Sequence, residues 1–279
     1  MSGRTATVAA PAGRRTRAPI TAARLRAPGE LLALWLPLLL LLPVLALPQA
    51  LVVGLVGVAV SALMVMVQQK RLLGAGVRVG GTQFSRYGAL AMAAALRLDM
   101  RPPEVFVTQS PAMNAFALGL GPRGTVVLHT GLLEALDDRE ALFVLGHEFG
   151  HLKCGHARLL LLRGLPSMRT GPFAAVQVLA HLLLLRWQRR AEFTADRAGL
   201  VACRDIRAAV GTMLKLAVGP QLAGQVDLEA LLAQHGRLRR DRLARLSAAL
   251  ATHPHLLDRI AALIAFHGSA EWRAIEAGA

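Results

Sequence analysis

His147-Glu148-Phe149-Gly150-His151 sets two imidazoles one helical turn apart with a carboxylate between them. On an α-helix, positions i and i+4 share a face, so both histidines can reach a single Zn2+. Glu148 then projects beside the open coordination position, where it can take a proton from water. The chemistry implied is hydrolysis. Such offsets arise by coincidence in on the order of one chain in a hundred of this length, so the surrounding sequence must carry part of the weight.

The motif has to sit on a helix. Asp137-Asp138-Arg139-Glu140 reads as its start, with Asp137 as N-cap and Glu140 as the capping-box partner three residues on, followed by the apolar run Ala141 to Leu145. A catalytic zinc takes three protein ligands and leaves its fourth position to water, so another ligand is needed. Cys154 shares the face of His147 and His151, but position i+7 lies about 10 Å along a rigid helix, which favours a packing thiol. His156 reads either as a support for the metal site or as a plain surface histidine. The better third ligand is Glu192. It is four residues from Asp196, so a second helix crossing the first could bring Glu192 to the metal and Asp196 to the outer N–H of a ligand histidine. A solvated charged face, with Arg189, Arg190 and Arg197 pairing the acids, accounts for the same spacing equally well.

Taken together, these blocks resemble the membrane-associated zinc peptidases that include the bacterial heat-shock protease HtpX and the CAAX prenyl endoprotease. The resemblance rests on HExxH, on the ExxxD helix from Glu192 to Asp196, on Asn114-Ala115-Phe116-Ala117, and on His253-Pro254 with Arg259-Ile260, four ordered blocks over about residues 82 to 265. Departures fall at Cys154, where a polar residue is common, and at His255, where a second proline is usual. The resemblance implies one Zn2+ per chain held by His147, His151 and Glu192, with Glu148 as general base. It also implies an edge strand at Asn114, Ala115 and Phe116 that pairs with extended substrate, and His253 as a donor to the oxyanion. By residue pattern alone, a His-Pro at a helix start serves equally well as a cap.

From Leu31 to Val67 no residue is charged. A single helix of that length would be roughly 55 Å long, nearly twice the hydrocarbon thickness of a bilayer, so two membrane helices broken at Pro48-Gln49 fit better. Pro37 and Pro43 would be kinks in the first. The preceding segment, Met1 to Gly29, carries six arginines and no acid, and is expected to be disordered and cytoplasmic. Lys70, Arg71 and Arg78 follow the second span. Basic flanks on both sides put the ends and the catalytic domain in the cytoplasm, as a multi-pass inner-membrane protein. The apolar stretch is too long for a signal peptide, and no cleavage site closes it. A net charge of +15 raises nucleic acid as a partner. With no aromatic-interleaved basic stretch, attraction to an anionic leaflet explains that charge better. Two cysteines with no CxxC pairing indicate neither a disulfide framework nor a structural zinc site.

The expected fold is therefore α+β: a mainly helical zincin-like peptidase domain over residues 69–279 with a small β-sheet, preceded by a basic tail over 1–29 and a two-helix transmembrane hairpin over 30–68. Thr82 to Leu98 reads as helix, and Glu104 to Thr108, Asn114 to Leu118 and Thr125 to His129 read as strands. Residues 159–187 are expected as a membrane-contacting insertion, an interfacial or re-entrant segment or an apolar helix pair against the hairpin, because each apolar piece is below spanning length. From Asp205, several short amphipathic helices run to about Phe266. The function expected is hydrolysis of membrane, misfolded or precursor polypeptides. The alternative is a non-catalytic membrane scaffold whose metal is closed by a fourth ligand such as Cys154. The chain has too few spans to enclose an intramembrane chamber, which argues against prenyl-protein processing.

Overall fold

The computed structural model describes residues 18–45, 48–119, 124–159, 174–238, 240–243 and 255–278. In chain order these form α1 (Ala22–Leu25), α2 (Glu30–Leu45), α3 (Pro48–Ala75), β1 (Val77–Arg78), α4 (Ser85–Arg97), β2 (Glu104–Thr108), β3 (Ala115–Leu118) and β4 (Thr125–His129). They continue as α5 (Thr130–Ala135), α6 (Asp138–Lys153), α7 (His156–Leu159), α8 (Ala174–Cys203), α9 (Ile206–Val218), α10 (Leu228–Leu238), α11 (Leu256–His267) and α12 (Ala270–Ala277). The class is α+β, mostly helical with one small mixed sheet.

Val105 to Val107 and Val126 to Leu128 are unbroken apolar runs, the pattern of strands covered on both faces, and all six residues are buried. They pair in parallel as β2 and β4, with Val105 opposite Val126. β3 runs antiparallel to β4, and β1 antiparallel to β2, giving the order β1-β2-β4-β3. β1 was not expected, since two residues are too few to show alternation. β3 lies at the sheet edge. His129 N–H donates to the Asn114 carbonyl, so that carbonyl and the backbone groups of Phe116 point to β4 while those of Ala115 and Ala117 point to the other edge.

α6 starts as its sequence dictates. The Asp137 carboxylate accepts from the Arg139 and Glu140 N–H groups, and the Glu140 carboxylate accepts from Asp137 N–H, a complete capping box. The helix packs against β3, α4, α9 and, most extensively, α8. That last contact runs along a seam of small residues. A Cβ added at Gly146 would lie 2.3 Å from Ala202 Cβ, one at Gly150 would lie 2.6 Å from Ala198 Cβ, and one at Gly199 would lie 2.8 Å from the Phe143 ring. Large side chains at these positions would hold the two helices apart.

α8 is a single helix of 30 residues. Residues 160–173 of the expected insertion lie outside the described residues, whereas from Ala174 the chain is continuous with the helix that carries Glu192. Leu184, Trp187 and Ala191 on α8 pack with Ala33 and Leu34 on α2, so α2 lies along the same helix. The basic tail differs from expectation in its last part. Residues 1–17 are outside the description, but Ile20, Leu25 and Ala27 are buried, and Thr21 caps α1. Three apolar side chains spaced among the arginines are enough to dock it. The C-terminal series also extends further than expected, through α12, where Ser269 caps the helix and Trp272 and Ile275 are buried.

Among the described residues, Leu55–Ala75 is the one helical stretch long and apolar enough to cross a membrane, and Glu30–Leu39 is apolar but shorter. Leu32, Trp35, Leu39, Leu55, Leu63 and Met64 are exposed.

The seam makes a direct prediction. Gly146→Ala would gain helix propensity of up to about 1 kcal/mol, yet its methyl meets Ala202 Cβ and the Ala198 carbonyl, neither of which can rotate away. Net destabilisation of about 1 to 3 kcal/mol is expected. Gly236→Ala, on α10 with open space around it, should be neutral or stabilising. Parallel unfolding curves of the two variants check the pair.

Candidate active site

The close approach of α6 and α8 decides where the polar groups fall. His147 and His151 project from one face of α6 toward α8, with their Nε2 atoms 3.2 Å apart. Glu192 on α8 reaches both: Oε2 is 3.7 Å from His147 Nε2 and Oε1 is 3.8 Å from His151 Nε2. One atom from each residue lies within 4.8 Å of the others, and among the described residues no other group of His, Cys, Asp and Glu converges in this way. The arrangement suits a metal ion.

The outer face of each imidazole is also engaged. His147 Nδ1–H donates to Asp196 Oδ1 at 3.0 Å, which fixes the tautomer with its Nε2 lone pair toward Glu192. Asp196 is buried and held by Arg259, whose Nε and Nη2 donate to Oδ2 and Oδ1 at 2.8 and 2.6 Å. Nη1 of the same arginine lies 3.4 Å from Glu192 Oε2. Burial works against the Asp196 carboxylate, but the Arg259 charge and hydrogen bonds outweigh it and hold its pKa below the usual range. Burial likewise works against a charged His147, yet the hydrogen bond and charge of Asp196 raise its pKa. Arg259 comes from α11, over 60 residues beyond Glu192. The sequence marked Arg259 only as part of a block, although two buried acids on one helix face require a cation from somewhere.

Glu148 is buried beside the histidines. Burial pushes its carboxyl up to about 7, His147 opposing the shift and Glu192 adding to it, and it accepts a hydrogen bond from Ala117 N–H on the free edge of β3. Three carboxylates, Glu148, Glu192 and Asp196, therefore face one guanidinium. A divalent cation would balance the remaining charge, and its binding would displace protons held by the site.

His147, Glu148, His151, Glu192 and Arg259 line a cavity of about 360 Å³, together with Asn114, Ala115, Phe116, Phe143 and Leu216. Trp187 and Gln188 also line it, and among the described residues Trp187 Nε1 and Gln188 Oε1 are buried without a hydrogen-bond partner. His253 lies outside the described residues. Cys154 ends α6 as its C-cap, and burial pushes its thiol up to about 12, so it is a packing residue and takes no part in the ligand group. His156 is the larger departure from the plain surface reading: it is buried, its Nδ1 lies 3.0 Å from His151 Nδ1, and its Nε2 lies 3.1 Å from Glu30 Oε1.

Residues 86–266 match the model of peptidase family M48. The chain belongs to this family. It is similar to the plastoglobule-localized metallopeptidase 48 of Arabidopsis thaliana chloroplasts, with 38% identity over 168 residues, covering 58% of this chain and 49% of the relative. An HtpX protease homologue of Tropheryma whipplei is 34% identical over 154 residues, covering 53% of this chain and 49% of the relative. Protease HtpX of Xanthomonas axonopodis pv. citri is 33% identical over 204 residues, covering 60% and 68%. The chain spans about half the length of the first two of these curated relatives. M48 is a family of metallopeptidases, and this member carries the two histidines, the intervening glutamate and the downstream glutamate of such a site on two facing helices.

The ligand geometry can be tested by metal content. Glu192→Gln should lose most bound metal, while Cys154→Ser should keep it, read by elemental analysis of the purified proteins. Retention by the first and loss by the second would move the third ligand onto α6.

Proposed function

We propose that this M48 member is a membrane-anchored zinc endopeptidase that hydrolyses peptide bonds of membrane, misfolded or precursor proteins. The observation that carries the reading is the meeting of His147, His151 and Glu192 with Glu148 beside them against the free edge of β3. Tetrahedral nitrogen ligands about 2.0 Å from zinc sit about 3.3 Å apart, and the two Nε2 atoms are 3.2 Å apart. Bound zinc supplies Lewis acidity, polarising a carbonyl and acidifying water. Glu148 takes the proton of the attacking water and returns it to the leaving amine, a task suited to a carboxylate buried beside the cluster. Asp196, held by Arg259, keeps His147 in the ligating tautomer. Ala115 and the Ala117 carbonyl offer backbone groups along the outer edge, so an extended peptide can add as a further strand with Asn114 and Phe116 flanking it. His253 is the proposed donor to the developing oxyanion, a role that rests on the resemblance of its His-Pro block.

Membrane anchoring is supported by Leu55–Ala75 and by the exposed leucines, methionines and Trp35 of α2 and α3, which no other described part of the chain covers. The basic residues on either side of the apolar region support a cytoplasmic catalytic domain at the inner membrane.

Two measurements examine this reading. Glu148→Gln keeps size and removes the base, so metal content and fold should survive while hydrolysis of an unfolded protein drops by at least about 10²-fold. A zinc-loaded wild type that cleaves nothing Glu148→Gln leaves intact would return the chain to a scaffold role. A reporter fused at Gly74 should be cytoplasmic and one inserted at Pro48 extracytoplasmic, and an external Gly74 reporter would reverse the topology.

A further inference from the structure

Glu30 is the last charged residue before the long apolar region and the first of α2, yet its side chain is fully buried. A buried carboxylate is costly unless paired and hydrogen-bonded, so its partners show what it is for. Arg26, one turn earlier, pairs with it, and the Thr194 hydroxyl donates to it. Its remaining partner is His156 Nε2. His156 is itself 1% exposed, walled by the edge of Trp187 at 5.8 Å between ring centroids, and its other nitrogen meets His151 Nδ1.

Tautomer logic gives this chain a direction. His151 can ligate through Nε2 only if its proton is on Nδ1, and that proton must go to an acceptor. The acceptor within reach is His156 Nδ1, which frees His156 Nε2–H to donate to the Glu30 carboxylate. All donors and acceptors are then satisfied in one pattern. It is the counterpart, with an imidazole interposed, of the direct Asp196 contact to His147.

We propose that Glu30 and His156 are positioning residues for the metal ligand His151, so that the segment leading into the first apolar helix is part of the metal centre. The inference rests on the metal-site reading above and extends it through His156 to Glu30, upstream of the matched family span. The segment is built to hold its place. Arg26 Nη2 donates to the Cys154 carbonyl at the end of α6 at 3.0 Å, Ala27 N–H donates to Thr194 Oγ1 at 2.7 Å, and Arg197 Nη1 donates to the Arg26 carbonyl at 3.3 Å. These contacts clamp residues 26–30 between α6 and α8 next to the ligands.

A merely structural role for Glu30 would lower stability without changing how tightly the folded protein holds zinc. The test is therefore zinc affinity of the full-length protein in detergent, by chelator competition, for wild type, Glu30→Gln, His156→Asn and the double variant. Glu30→Gln keeps shape and loses charge. His156→Asn keeps an acceptor oxygen near the position of Nδ1 but does not reach Glu30. Glu30→Gln should weaken zinc about tenfold, the lower end for such supporting partners. In the His156→Asn background it should change affinity less than twofold, because its effect passes through the imidazole. Unchanged affinity in Glu30→Gln, or the same tenfold loss in both backgrounds, overturns the proposal. Glu192→Gln serves as control: loss of zinc there beside an unaffected Glu30→Gln sinks the relay alone, whereas a wild type that takes no zinc removes the metal centre and the relay together.

Discussion

The distance between α6 and α8 is the constraint on which the rest depends. Two imidazoles on one helix are half a metal site, and the other half arrives only if a second backbone comes close enough for a glutamate of ordinary reach. Gly146 and Gly150 facing Ala195, Ala198 and Ala202 allow that approach, with Phe143 over Gly199 fixing the position along the axes. Packing of small residues thus performs a chemical task, setting the separation of Glu192 from His147 and His151.

The approach creates an electrostatic problem that other elements resolve. It brings Glu148, Glu192 and Asp196 into a buried space, and Arg259 from α11 enters it to pair with two of them. The C-terminal helices are therefore part of the site and not a covering, since removing one partner of such a pair leaves the other uncompensated. Similarly, β3 contributes more than a wall. Its Ala117 N–H meets Glu148, so the carboxylate proposed as base is registered to the strand that would register a peptide.

Local signals in the sequence were clear where neighbours along the chain determine the outcome. The capping box at Asp137, the strands at Glu104 and Thr125, and the shared faces of His147 with His151 and of Glu192 with Asp196 all follow from spacing within a few residues. What could not be read were partnerships across long separations. Glu30 and His156 are 126 positions apart, and neither spacing nor composition pairs them. Arg259 carried a signal of type, a cation owed to two buried acids, but none of position. The docking of residues 18–29 was obscured because arginine-rich composition outweighed three apolar residues that find pockets only in the folded domain.

The glycines of the seam carry a cost in time as well as in space. Gly146 and Gly150 each lower the intrinsic helicity of α6 by about 1 kcal/mol relative to alanine, and a helix of 16 residues is marginal in water on its own. Until α8 is present to pack against it, the motif segment has little reason to be helical. His147 and His151 then wait, during synthesis, for some forty further residues before Glu192 is even made. The order of translation therefore separates the appearance of the two histidines from the completion of the metal-competent cluster, which belongs to a chain that has already emerged through Glu192.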